Sequence, residues 1–195
     1  MRMKFTPEKI ESLNKNEIFV FGSNIQGEHV GGAALAAIKA FGAEYGKGFG
    51  LQGNAYAIPT CIRLDDESGK RFTKPFSNVE QIKPYVEAFI NDAKYLRKNY
   101  VYYITKIGCG IAGFKVSEIA ELFRPCLDME NVILPKEFVE WLLYPIVISA
   151  ANNRGLVSGK DYDDDLLMAY VLPRLEIMSI DDALDEFERE DPIFD

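Results

Sequence analysis

Two short apolar runs in this chain each empty into a glycine-rich loop, and that pattern narrows the fold more than any other feature. The first run, Ile18-Phe19-Val20-Phe21, leads into Gly22-Ser23-Asn24 and then Gly27, His29, Gly31 and Gly32. The second, Val101-Tyr102-Tyr103-Ile104-Thr105, leads into Gly108-Cys109-Gly110, then Gly113 and Phe114. Four apolar residues in a row, without alternation, fit a strand buried on both faces. A passage from strand through glycine loop to helix aims bare backbone N–H groups at one point, which holds anions and above all phosphate. Two such loops in one domain predict a ligand with a diphosphate.

Around the loops, extended and helical patterns alternate. Gly31 to Phe41 carries the apolar stripe Ala33, Ala34, Leu35, Ala37, Ile38 and Phe41 and predicts a helix closed by Gly42. Residues 43–54 have loop composition, and Ala55 to Ile58 predicts a short strand stopped by Pro59. The polar stretch 61–76 predicts an exposed excursion. Ser77 with Glu80 forms a capping-box pattern before Val79, Ile82, Val86, Phe89, Ile90, Ala93 and Leu96, which recur at helical spacing. Residues 100–105 predict a strand, Val116 to Leu127 a helix, Asn131 to Leu134 a strand, and Phe138 to Leu143 the start of a helix. The alternation predicts an α/β domain with a mixed, mostly parallel sheet and helices on both faces, three layers in all. The ligand crevice of such a sheet lies beyond the carboxyl ends of its strands, where both loops belong.

Charge divides the chain. Residues 1–144 hold eighteen Lys and Arg against seventeen Asp and Glu, whereas residues 145–195 hold four against thirteen. The expected organisation is therefore a ligand-binding domain over 1–144 and an acidic helical extension over 145–195 packed on it. In the extension, Asp161 to Asp165 and Ser179 with Asp182 supply helix starts. A near-neutral body and an acidic tail argue against nucleic acid, which clustered positive charge attracts. No run reaches the roughly eighteen apolar residues of a membrane span. The start, Met1 to Pro7, shows no apolar signal core. Cys61, Cys109 and Cys126 match neither a disulfide scaffold nor a zinc site, which places the protein in a reducing cytoplasm. With one histidine and no close cysteine pair, no metal and no cofactor is expected.

Several side chains in or near the loops bear chemistry. Asn24 is placed to hydrogen-bond a ribose hydroxyl, or to cap a turn. His29 has the near-neutral pKa of a general base that orients water, or it is a loop residue bonded to backbone. Cys109 lies near a helix start, with packing the plainer reading. Lys106 and Lys47 flank the loops and are phosphate candidates, while Gln52 and Asn54 read as turn or edge residues and Trp141 as an anchor for the tail.

The run Phe21-Gly22-Ser23-Asn24, with Gly31-Gly32-Ala33-Ala34 opening a helix, resembles the asparagine- and glycine-rich loop of macrodomains. Ile107-Gly108-Cys109-Gly110-Ile111-Ala112-Gly113-Phe114 resembles their second loop and is most similar to the terminal ADP-ribose protein glycohydrolase branch. Phe21 to Thr60 as a whole resembles macrodomain-like proteins of bacteria and phages. The resemblance implies a macrodomain-like fold that binds ADP-ribose. It implies that Asn24 contacts the distal ribose, with Gly22, Ser23, Gly31, Gly32 and Ala33 lining its approach. Gly108, Cys109, Gly110, Ile111, Ala112 and Gly113 wrap the diphosphate, and Phe114 borders the ribose or adenine. Three departures stand out. Lys15-Asn16-Glu17 lacks the aspartate that reads adenine, Ala112 replaces a catalytic aspartate, and Thr60-Cys61 replaces a lysine. The paired glutamates of poly-ADP-ribose glycohydrolases are absent too.

Two functions follow as expectations. One is an ADP-ribose-binding hydrolase that cleaves at the distal ribose, with Asn24 and His29 holding the attacking water. The other is a non-catalytic reader of ADP-ribosylated or nucleotide-bearing partners, such as a phage or mobile-element accessory protein whose acidic tail meets a basic partner.

Overall fold

The computed structural model describes residues 4–190. The chain divides into two compact units, one over Thr6–Phe138 and the other over residues 139–190 together with 4–5.

The first unit is an α/β sheet domain. Its six strands are β1 (Glu17–Asn24), β2 (Gly50–Gln52), β3 (Ala55–Asp65), β4 (Arg71–Pro75), β5 (Val101–Ile104) and β6 (Val132–Ile133). The order is β2-β3-β1-β5-β6, with β4 on β3. The pairs β1–β3, β1–β5 and β5–β6 are parallel, whereas β2 and β4 run antiparallel to β3. The sheet is thus mixed and mostly parallel in its interior, as the alternating pattern predicts.

Strand alternation sorts the core onto two faces. Phe19 and Phe21 of β1 and Ala55 and Ala57 of β3 point one way, toward α1 (Gly32–Ala40). Small alanines on both sides let that helix lie close, and Phe41 stacks on Phe19 with ring centroids 4.6 Å apart. Val20, Tyr56, Tyr102 and Ile104 point the other way. There Phe89 of α2 (Lys83–Asn91) meets Tyr56, Tyr102 and Phe123 edge-on or tilted, at 5.2–6.3 Å. Phe123 follows α3 (Val116–Leu122). All these rings are fully buried, and truncating one such as Phe89 to alanine costs about 3–5 kcal/mol.

Several local expectations need correction. The strand that begins at Ala55 does not stop at Pro59 but runs on to Asp65. Ser23 pairs with Pro59 and Asn24 with Cys61, so the register slips beside the residue that has no N–H to give. The stretch 61–76 is a β-hairpin, not an irregular excursion. Its turn is closed by Asp66, whose carboxylate accepts from Ser68 and Lys70 N–H, with Gly69 at φ 81. Residues 50–52, read as loop, pair with β3. The Ser77–Glu80 capping box does not form. Gln81 Oε1 accepts from Ser77 N–H instead, and a 3₁₀ turn over Val79–Gln81 precedes α2. The helix expected to reach Leu127 ends at Leu122, because Pro125 favours the 3₁₀ turn Arg124–Cys126.

The second unit is helical. Most of α4 (Lys136–Asn153), with α5 (Asp164–Arg174) and α6 (Ile180–Arg189), builds it. The expected boundary at 144/145 lies inside α4, which continues through Pro145. Asp163 caps α5 by accepting from Asp165 and Leu166 N–H, and Ser179 with Asp182 forms a capping box on α6. Arg154 gathers Asp181, Asp185 and Glu188, and Arg174 lies 3.4 Å from the Tyr170 ring centre. Part of the acidic excess is therefore paired within this unit. Its last five residues, 191–195, lie outside the described residues. Among the described residues no helix is long and apolar enough to cross a membrane.

Candidate functional site

Beyond the carboxyl ends of β1, β3 and β5, the first unit opens into a cleft. Its lining joins the two glycine-rich loops: Gly22, Ser23, Asn24 and Glu28 to Ala34 without His29 from the first, and Thr105 to Ala112 without Cys109 from the second. Thr60 and Cys61 of β3 and Thr73 of β4 complete the floor. From β5 across β1 and β3 to β4 is three strand steps, roughly 14 Å. Val30 and Ile111 stand exposed on the rim and give it two aliphatic walls.

The first loop is pinned from inside. Asn24 spends its amide on the loop itself, donating to Glu28 O at 2.9 Å and accepting from Glu28 N–H at 3.0 Å. Ser23 Oγ donates to Gly48 O. His29 sits behind the cleft wall, 2% exposed, edge-on to Phe21 and 3.1 Å from Lys47 O. A carbonyl only accepts, so Nε2 carries the hydrogen and Nδ1 is left as a buried acceptor. Burial holds the imidazole below a histidine's usual 6.5, with the carbonyls of Lys47 and Glu44 working the other way. Gln52 donates to that same Lys47 carbonyl and accepts from Glu44 N–H, so it too belongs to the support of this loop. Lys47 pairs with Glu44 in solvent. Asn54 ties the start of β1 through Asn14 and Glu17 carbonyls.

The second loop is pinned by its own main chain. Cys109 N–H reaches Lys106 O, Gly113 N–H reaches Gly110 O, and Phe114 N–H reaches Gly108 O. Gly108 takes φ 75, and a Cβ there would meet Ile119 Cδ1 at 3.0 Å and Phe114 Cδ2 at 3.5 Å. Among the described residues the amides of Gly108, Gly110, Ile111 and Ala112 have no backbone acceptor. The first amides of α1, at Gly32, Ala33 and Ala34, have none within the helix either, and no side chain caps that end. Both sets line the cleft.

Gly31 and Gly110 are informative by contrast. Neither has a left-handed φ, and a Cβ on either would meet no atom within 4 Å. Neither packing nor backbone conformation requires glycine there, and both residues line the cleft.

Three ionisable side chains line the cleft: Lys106, Cys61 and Glu28. Lys106 follows β5 and pairs with Glu137 at 2.8 Å, in an exposed contact worth ~0–1 kcal/mol that a ligand can open. Burial raises the Cys61 thiol. Glu28, missed from the sequence, lies toward β3 and β4. Its carboxylate accepts from Arg71 through Nη2 and Nε and from Arg63 Nε at 3.2 Å, and these bonds, Arg71's foremost, hold it below the usual carboxylate range. Asp65 takes the other side of Arg71 at 2.9 Å.

The cleft brings together Gly22, Ser23, Asn24, Gly31, Gly32, Ala33, Gly108, Gly110, Ile111 and Ala112 of the expected site. His29, Cys109, Gly113 and Phe114 lie outside its lining. Phe114 instead packs beside Gly108, and burial pushes the Cys109 thiol up to about 11. Glu17, at the opposite end of β1, accepts from Asn14 N–H. Among the described residues no group of His, Cys, Asp and Glu is placed to hold a metal ion. Comparisons of the chain with protein-family models, with curated proteins and with solved structures return no match in any of the three.

Proposed function

We propose that the cleft binds the diphosphate of an ADP-ribose-type ligand and holds it without turnover, as a reader of ADP-ribosylated or nucleotide-bearing partners. The observation that carries this reading is the convergence of unspent amide donors. Gly108, Gly110, Ile111 and Ala112 present theirs from one side and the first turn of α1 from the other, across a single cleft. Such donors suit phosphate oxygens, and the α1 dipole adds to the attraction. Gly31 and Gly110 support the reading, because a side chain at either would occupy the space of a bound ligand. The macrodomain resemblance of residues 21–34 and 107–114 supplies the ligand class.

Binding is favoured over hydrolysis by the ionisable groups. General base catalysis at neutral pH wants a pKa near 7 and reach to the attacking water. Glu28 is locked and ionised by two arginines, and the Cys61 thiol is raised. His29 is committed to Lys47 behind the wall.

Calorimetric titration with ADP-ribose, ADP and NAD tests the proposal. ADP-ribose is expected to bind tightest, and no heat with any of the three overturns it. Incubation with an ADP-ribosylated peptide, followed by mass spectrometry, is expected to show binding without release. Release that is lost in His29→Ala would establish the hydrolase instead.

A further inference from the structure

The cleft is electrically unlike at its two ends, and the far end carries a fixed acceptor. At the β5 end stand the unspent amides of the second loop and Lys106, whose exposed ion pair opens at little cost. At the β3–β4 end the positive charges are already spent. Arg63 and Arg71 both bind Glu28, Arg71 also binds Asp65, and two guanidinium groups thereby face two carboxylates. The Glu28 side chain is only 13% exposed, so this cluster is not the loose surface pairing seen at Lys106.

Counting acceptor positions shows what remains for a ligand. A carboxylate offers about four lone-pair positions. Arg71 takes two of them on Glu28 and Arg63 takes one. One position is left, on a group that lines the cleft and is held rigid by its partners. Thr73 stands beside it. Its hydroxyl oxygen accepts from Arg63 Nη1 at 2.7 Å, which turns its own hydrogen toward other acceptors. A phosphate offers a carboxylate only repulsion, whereas a sugar hydroxyl offers it a proton and accepts one from Thr73.

We infer that Glu28, assisted by Thr73, is the specificity-determining residue that selects an uncharged, hydroxylated group at the β3–β4 end of the cleft and turns phosphate away from it. The ligand then lies in one direction only, with its phosphates on the second loop and α1 and its terminal sugar against Glu28. This inference rests on the diphosphate-binding reading above and adds the polarity of the bound molecule.

The test is the ratio of ADP-ribose to ADP affinity, measured by calorimetry on the full chain. In Glu28→Gln the ratio is expected to fall by about tenfold or more, the effect of losing one hydrogen bond to a charged group. Affinity for ADP itself is expected to hold or rise, which also shows that the variant is folded. Thr73→Val is expected to shift the ratio the same way by about threefold, and it carries the test alone should Glu28→Gln fail to fold. An unchanged ratio, or equal weakening of both ligands, overturns the inference and leaves the diphosphate reading standing. Wild-type protein that binds neither ligand overturns that reading and this inference with it.

Discussion

The loop after β1 and the loop after β5 are both rich in glycine, yet their glycines meet different surroundings. In the first, Gly27 takes φ 69, and a Cβ there would overlap the Lys47 backbone nitrogen. Gly48 faces the carbonyls of Asn24 and Ile25 in the same way. Here glycine lets one main chain lie directly on another, and Ser23 and His29 rivet the two together while Gln52 braces the 44–47 segment. In the second loop, a Cβ at Gly110 would meet nothing. The same residue type therefore serves packing at Gly27, Gly48 and Gly108 and leaves a vacancy at Gly31 and Gly110. Substitutions at Gly27 or Gly48 should register as lost stability, and a substitution at Gly110 as lost binding.

The largest expected effect breaks the packed loop. Gly27→Ala combines a strained φ with a backbone overlap, and chemical denaturation should show a loss of more than ~3 kcal/mol. A loss below 1 kcal/mol would mean that the loop is not seated as described. Gly110→Val addresses the open loop. Its unfolding free energy should stay within ~0.5 kcal/mol of wild type while ADP-ribose affinity drops at least about tenfold. Equal affinity in the variant would detach Gly110 from the ligand. The smallest effect sharpens the contrast through pH. Burial lowers the His29 pKa, so below the usual 6.5 of the unfolded chain the unfolded state takes up more protons than the folded one. Stability is full above that value and is lost as pH falls from it toward the folded pKa. The thermal midpoint should decline between pH 7.5 and 5.5, and His29→Gln should flatten that stretch.

The two loops also differed in how far the sequence exposed them. The second was readable because its geometry is local: the strand before it, the glycines within it and the helix after it all lie between Val101 and Leu122. The first was only half readable. Asn24 in a glycine loop invited a ligand role, but its amide closes on Glu28 four residues away. His29 gave no sign of its partner, because Lys47 reaches it only once residues 43–50 fold back over the loop. Glu28 did leave a signal, as the one charged residue between Asn24 and Gly31, whereas Thr73 left none. Its place on the cleft depends on a hairpin that polar composition disguised as loop. Pro59 misled for a related reason. Proline forbids a ladder donor, but it does not forbid a strand whose partner slips register at that point.

The same hairpin has a consequence for how the molecule behaves in a crowded solution. Among the described residues β4 is paired on one side alone, and an unpaired strand side invites other chains to add on. Its sequence discourages them. Lys74 puts an exposed cation on this strand, from which a docking chain would strip water, and Pro75 offers it no N–H to grip. A lysine and a proline on so short a margin disfavour strand-by-strand self-association there.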